Sequence, residues 1–378
     1  LKFHRIALHW AAKVRQLSLG WWCTAFLLAQ PLKIQQAKRL VMRRPVHVIG
    51  AGSLGSLWAA SLVDSGVPVR LLLRQTPAPA PTPAHSGHMS TQNGHMSIRV
   101  TSHFTSPALI SKAFCVAVEP ATVSSGDCID TLVIATKAFD AAEALKNIAH
   151  RLSPRATVVL LCNGALSLTH MASKLPSTTT FLVATSTHGA WLEKLPGGNV
   201  HVHHAGNGAT WVGEMPLREG PAPSEEQAIS AANAISAEGL GSMPESRADT
   251  ERRLWLKLAA NAVLNPLTAL WGVKNGEVLN RPEGHAISEK VCEEVADVAT
   301  RLCRHSPPTA AELLSFVTSC ANANAQNWSS MHQDIINYRR TEIEHLNGWI
   351  VDQAIALGTT CKMNSKLASK IKKLHPKH

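Results

Sequence analysis

The chain has 378 residues, 45% of them hydrophobic and 17% charged, enough to bury one large core or two ordinary ones. Its net charge of +11 is concentrated at the ends: residues 1–44 carry nine Lys or Arg and no acid, residues 362–378 carry six Lys and no acid, and the body between them is left at −4. That distribution argues against a phosphate-binding groove and hence against a nucleic-acid partner. Eight scattered cysteines without a CxxC pair argue against a zinc module or a disulfide framework and for reduced thiols inside a cell.

In residues 1–44, Lys13 and Arg15 precede an apolar stretch from Leu19 to Ala29. At about a dozen residues it is shorter than the roughly 20 that span a bilayer, so no membrane helix is expected. The lack of acids suits either an organelle-targeting leader or an untargeted extension, while the cysteine usage disfavours a secretory signal. The expected location is the cytoplasm, or the mitochondrion if the segment is a leader.

The apolar run Val46 to Ile49 leads into Gly50-Ala51-Gly52-Ser53-Leu54-Gly55 and then Ser56 to Leu62, an order that reads as strand, glycine loop and helix. In that context Gly50 permits the tight turn, Gly52 admits a pyrophosphate to the backbone amides, and Gly55 lets helix and strand pack closely. The next strand, Pro68 to Arg74, ends without the acid that binds the ribose hydroxyls of NAD. Arg74, with Arg70 less well placed, offers a guanidinium for the 2′-phosphate of NADP instead. NADPH is therefore the expected cofactor.

Gln75 to Ser106, rich in Pro, Ser, Gly and His, reads as a flexible insertion. Apolar runs at 131–136, ending at Lys137, and at 156–161, ending at Cys162-Asn163-Gly164, suit a parallel sheet covered on both faces. Ligands collect at the carboxyl ends of such strands, which makes Lys137 and Asn163 candidate contacts. Short strands follow at 180–185 and 208–213. His201, His203 and His204 alternate as on a strand facing solvent, and with no carboxylate or cysteine in the motif no metal is expected. A surface helix over 224–237 and a linker close this half.

From Asp249 the pattern is helical. Lys257, Asn261 and Asn265, spaced by four, share one helix face among apolar residues. Buried there, a lysine and two amides need partners, and a substrate bearing a carboxylate and a ketone would supply them. Further on, Ser330 with Gln333 and Thr341 with Glu344 fit capping boxes, which predicts two helix starts with a break between them. On one continuous helix Ser330 and Glu342 would lie about 18 Å apart, so the break is what would let them serve one small ligand.

These segments together resemble the ketopantoate reductases, or 2-dehydropantoate 2-reductases, from about Val46 to Gly358: GAGSLG, IATKAFD, CNGA, STHGA, WLKLAANAVLNPLTAL, SSMHQD and RRTEIEHLNG. The resemblance implies NADPH-dependent reduction of ketopantoate to pantoate, a step of pantothenate and coenzyme A biosynthesis. It implies that Lys257 is the general acid, that Glu342 orients and ionises it, and that Asn261, Asn265, Asn327 and Ser330 hold the substrate. Gly50, Ala51, Gly52, Ser53, Leu54, Gly55, Arg74, Lys137 and Asn163 would hold the cofactor.

The expected fold is α/β: a Rossmann-type doubly wound parallel sheet over 45–245 followed by an all-helical domain over 246–378, with the substrate between them. A reductase of another branched 2-oxo acid and a non-catalytic NADP-binding protein are the alternatives. Oligomeric state is not written in these motifs, and a homodimer stays open.

Overall fold

A computed structural model describes residues 44–74, 94–103, 110–121, 127–216 and 223–374. The leader read into residues 1–43 and most of the proline-rich part of the insertion lie outside the described residues.

Eleven strands form one sheet. In chain order the first half runs β1 (Val46–Ile49), α1 (Ser53–Asp64), β2 (Val69–Leu73), β3 (His95–Ser102), β4 (Ile110–Pro120), β5 (Ile129–Ile134), α2 (Ala138–Ile148) and β6 (Leu152–Leu160). It continues with β7 (Thr180–Ser186), β8 (Gly189–Lys194), β9 (Val200–Gly206), β10 (Thr210–Glu214), α3 (Glu225–Ala234) and β11 (Ser242–Pro244). The spatial order is β11-β10-β7-β6-β5-β1-β2-β4-β3-β9-β8. The six strands from β7 to β4 are mutually parallel, while β10, β3 and β8 each run antiparallel to an inner neighbour.

The apolar runs are continuous because both faces are covered. Alternate residues go to opposite sides: Val158 and Leu160 join one core with Ile134 and Phe181, while Val159 and Leu161 join another with Leu57 and Trp58 of α1 and Ala228 and Ala232 of α3.

The first of these cores runs without a break into the helical half, formed by α4 (Arg247–Trp271), α5 (Asn275–Val278), α6 (Pro282–Leu302), α7 (Ala310–Ala323), α8 (Ser330–Ile336), α9 (Asn347–Ala356) and α10 (Lys362–Leu374). Ser246 caps α4, its hydroxyl accepting from Asp249 N at 3.1 Å, and the helix then packs on β7 and β10 at one end and on α6, α7, α8 and α10 along its length. Pro266 lies inside α4 and has no N–H for the carbonyl of Ala262. The fully buried amide of Asn347 fills that gap, donating to Ala262 O at 2.9 Å, and also donates to Asn364 Oδ1 at 2.9 Å. Asn364 in turn donates to Glu294 at 2.8 Å, so the break in one helix ties it to three others.

Several expectations need correction. The end of the supposed insertion, His95–Ser102, is a full strand paired with β4 and β9, and β4, β8 and β11 were not anticipated. Their residues mix apolar with small and charged side chains, which blurs the period-two signal. The linker before α4 contains β11. The lysine-rich tail needs no such correction: its lysines form the solvated face of a helix, α10, whose Leu367, Ala368 and Ile371 are buried. Ser330 is not a cap: Ser329 caps α8 by accepting from His332 N at 3.1 Å, and the Thr341–Glu344 box does not form. A break between 337 and 346 does exist, as expected.

One buried pair sets the acid response of the sheet's outer region. Gly208 N donates to His188 Nδ1 at 3.1 Å, so that nitrogen is an acceptor and the 2.8 Å contact from His204 Nε2 must be donated by His204. His188 Nε2 then donates to Leu240 O at 2.9 Å. Burial, and then the nearby His188, push His204 down to about 4. A depressed folded-state pKa gives stability that is complete above the unfolded histidine value of 6.5 and is lost as pH falls through 6.5 toward 4. Between about pH 7 and about pH 4.5 this pair should cost roughly 2 kcal/mol of stability. Urea midpoints measured across that range should fall more steeply for the wild type than for His204→Gln, and equal slopes would contradict the assignment.

Candidate active site

Five parallel strands end along one edge, and the candidate residues lie just past them: Gly50 after β1, Arg74 after β2, Lys137 after β5, Asn163 after β6, and Ser186 at the end of β7. The glycine loop is fixed by sterics. Gly50 adopts φ +104°, and a Cβ there would stand 2.6 Å from the carbonyl carbon and oxygen of Ala135 on the adjoining strand. A Cβ on Gly55 would lie 2.0 Å from Gly50 O, so β1 and α1 approach as closely as their backbones allow. Gly52, the N-cap of α1, is different: a Cβ would meet nothing within 4 Å. It faces open space at the amino end of a 12-residue helix with no acid in its first turn, a setting suited to the pyrophosphate of a dinucleotide.

Beside this loop an open cleft is lined by Leu54 of the loop, Cys162 and Asn163 beyond β6, Ser186 of β7, and Lys257 and Asn261 of α4. Lys257 Nζ donates to Ser186 O at 3.2 Å and pairs with no carboxylate among the described residues. Burial pushes its pKa below the ordinary lysine value, with the nearby Cys320 opposing weakly.

One turn along, Asn261 Nδ2 donates to Asn163 Oδ1 at 3.4 Å, and Asn163 Nδ2 donates to Glu342 Oε2 at 3.3 Å. Glu342 is buried and also accepts from Ala138 N, at the start of α2, at 3.0 Å. Its cationic partner is Lys137, 3.6 Å away, which itself donates to Asp334 at 2.6 Å. Burial works against charge on Lys137, but Glu342 and Asp334 outweigh it and hold the ammonium above the ordinary lysine value.

The structure thus brings Lys257, Asn261 and Asn163 together. Glu342, expected to pair with Lys257, pairs with Lys137 and reaches the cleft only through Asn163. Arg74 is exposed and bonded to Asp140 at 2.8 Å, while Arg70 is held by Glu119 at 3.0 Å. Asn265 is buried one turn beyond Asn261, outside the cleft lining. Asn327 is half-buried, donating to Asn324 Oδ1 at 3.3 Å, and Ser330 is exposed on the first turn of α8.

Sequence reasoning missed Ser186, which acts through its carbonyl and so carries no residue signature. It also missed Asp334, four residues past Ser330, whose only signal was an acid in an otherwise neutral stretch.

A sequence profile described as ketopantoate reductase PanE/ApbA matches residues 46–216, and its C-terminal counterpart matches residues 249–375. A 2-dehydropantoate 2-reductase of Escherichia coli O157:H7 is 30% identical over 328 residues, covering 87% of this chain and 94% of that protein. One from Archaeoglobus fulgidus is 29% identical over 327 residues, covering 86% and 96%. Among solved structures, D-mandelate dehydrogenase with NADH and anilino(oxo)acetate superposes with a TM-score of 0.72 at 20% identity, covering 88% of this chain and 98% of the other. A PanE/ApbA family ketopantoate reductase from Ralstonia eutropha JMP134 gives 0.68 at 21% identity with the same coverage. At these identities the superpositions establish a shared fold.

The last two glycines of the loop, Gly52 and Gly55, separate binding from folding. Gly52→Ala should leave the melting temperature unchanged and weaken dinucleotide binding about tenfold, a loss near 1.4 kcal/mol, by filling the approach to the amides. Gly55→Ala should lower the melting temperature, because its Cβ meets backbone. Fluorescence titration with thermal melts of both variants checks this, and a destabilised Gly52→Ala would contradict it.

Proposed function

From the premise that the chain belongs to the ketopantoate reductase family, oxidoreductases that act on a CH–OH group, we propose that it reduces 2-dehydropantoate to pantoate with NADPH, a step toward pantothenate. The observation that carries this reading is Lys257, an ammonium in the cleft beside the glycine loop with no carboxylate paired to it among the described residues.

The open face of Gly52 and the free amides that follow it suit a dinucleotide, and we assign Gly50 to Gly55, with Lys137 and Asn163, to its binding. Arg74 would exchange Asp140 for the 2′-phosphate, which a guanidinium can grip with two parallel bonds. NADPH, when bound, supplies the hydride.

The protein's own part is to receive the charge that develops on the ketone oxygen. Lys257, drawn toward Ser186 O at rest, can turn its ammonium to that oxygen and transfer a proton to it, yielding the alcohol and a neutral amine. Its lowered pKa makes it a stronger acid than a surface lysine. Asn261, held by Asn163, would hold the substrate beside it, and Glu342 positions this asparagine pair rather than touching Lys257. Asn265, Asn327 and Ser330 are assigned to the substrate's remaining polar groups. In this reading residues 45–245 bind the dinucleotide and residues 246–378 supply the acid and most substrate contacts.

Lys257→Ala should lower kcat by roughly 10²–10⁴-fold in an NADPH-oxidation assay with ketopantoate. In the wild type, kcat/KM should fall as pH rises through the Lys257 pKa, with a midpoint below the ordinary lysine value of 10.5. Arg74→Ala should raise KM for NADPH and leave NADH unaffected. A Lys257→Ala enzyme with wild-type kcat would overturn the mechanism, and turnover confined to a different branched 2-oxo acid would move the substrate while keeping the chemistry.

A further inference from the structure

At the far edge of the sheet from β11, the strands β3, β9 and β8 lie side by side, and a group of polar side chains gathers on one face of them. His201 and His203, two apart on β9, project to the same side, while the alternating Val200 and Val202 join the core beneath. Glu193 of β8 stands directly opposite His201 in the antiparallel ladder, and Trp191 stands opposite His203. The carboxylate absent from the local motif is thus eight residues upstream, delivered by strand pairing.

The three side chains aim donor atoms at a common point. Glu193 Oε2 is 3.7 Å from His201 Nδ1 and 3.5 Å from His203 Nε2, and the three atoms all lie within 4.8 Å of one another. A carboxylate hydrogen-bonded to an imidazole would sit at about 2.7–2.9 Å. Two donors on one tetrahedral Zn²⁺, each about 2.0–2.1 Å from the metal, are separated by about 3.3 Å. The observed spacings are closer to the second arrangement.

The opposite nitrogen of each ring is already engaged. His201 Nε2 lies 2.8 Å from Thr101 Oγ1, and His203 Nδ1 lies 3.0 Å from His103 Nε2. Such outer bonds fix ring orientation and leave the inner nitrogens as ligands. His203 Nε2 is buried and has no hydrogen-bond partner among the described residues, and Trp191 stacks on that ring with centroids 3.6 Å apart, locking its plane.

We propose that Glu193, His201 and His203 bind a divalent transition-metal ion, Zn²⁺ by the nature of the donors, with a fourth position left to water. The ion would pin β8 to β9 at the edge of the sheet, away from the glycine loop and Lys257, so the site stands or falls independently of the reductase assignment.

The test is titration of the chelator-stripped full chain with Zn²⁺ in competition with a chromophoric chelator, alongside Glu193→Gln, His201→Gln and His203→Gln. One equivalent should bind to the wild type, and each variant should bind at least about tenfold more weakly. Thr101→Val, which removes only an outer bond, should weaken binding less. Co²⁺ in place of Zn²⁺ should give the intense visible absorption of a tetrahedral site in the wild type and lose it in the variants. Circular dichroism and NADPH oxidation should be unchanged in Glu193→Gln, whose side chain is half exposed, which separates lost binding from lost folding. Zn²⁺ affinity equal in wild type and all three variants, or no binding by the wild type, overturns the proposal.

Discussion

The site depends on one constraint, the placement of α4. This 25-residue helix must bury nearly all of its surface, yet present Lys257 and Asn261 to the carboxyl edge of the sheet. Leu254, Trp255 and Leu258 around the first turns of that stretch belong to the same core as the sheet residues Leu160 and Phe181, so the helix is anchored to the strands whose ends make the cleft. Its far end is held by the Asn347 amide on the carbonyl that Pro266 leaves open. An unsatisfied buried carbonyl would be expensive, and the side chain that satisfies it links α4 to α9, α10 and α6. The lysine is thus positioned by packing on both sides rather than by a charged neighbour.

The lack of a carboxylate partner for Lys257 among the described residues is informative. Glu342 could have neutralised Lys257 and instead serves three donors elsewhere: Ala138 N, Asn163 Nδ2 and the Lys137 ammonium. Two lysines near the same edge are therefore in opposite states. Lys137, held by Glu342 and Asp334, is a stable cation that ties the sheet edge to the segment after α8. Lys257, with the Ser186 carbonyl as its partner, is pushed by burial below the ordinary lysine value. The placement of two acids thus shifts a pair of chemically identical side chains in opposite directions.

The edge strands follow a different logic from the central ones. The inner parallel strands carry continuous apolar runs, such as Leu132 to Ile134 and Val158 to Leu160, because helices cover both faces, whereas β8 and β9 alternate between a core face and a polar face. On that second face two histidines, a glutamate and a tryptophan are brought into contact across the ladder. The same antiparallel pairing that completes the sheet creates a donor set that neither strand contains alone.

The sequence by itself determined the elements whose signal is local. Steric demands at Gly50 and Gly55 are met by glycine alone, and the apolar runs of β1, β5, β6 and β7 are long enough to define buried parallel strands and the residues at their ends. The four-residue spacing of Lys257 and Asn261 placed both on one helix face, and both line the cleft. The tertiary structure alone decided what those residues touch. Glu342 chose Lys137 over Lys257, Ser329 capped α8 in place of its neighbour Ser330, and Glu193 met His201 across a strand pair. Hydrogen bonds and ion pairs form between atoms that are distant along the chain and within about 3 Å in space, and that proximity is set by the packing of whole elements, which no local pattern encodes.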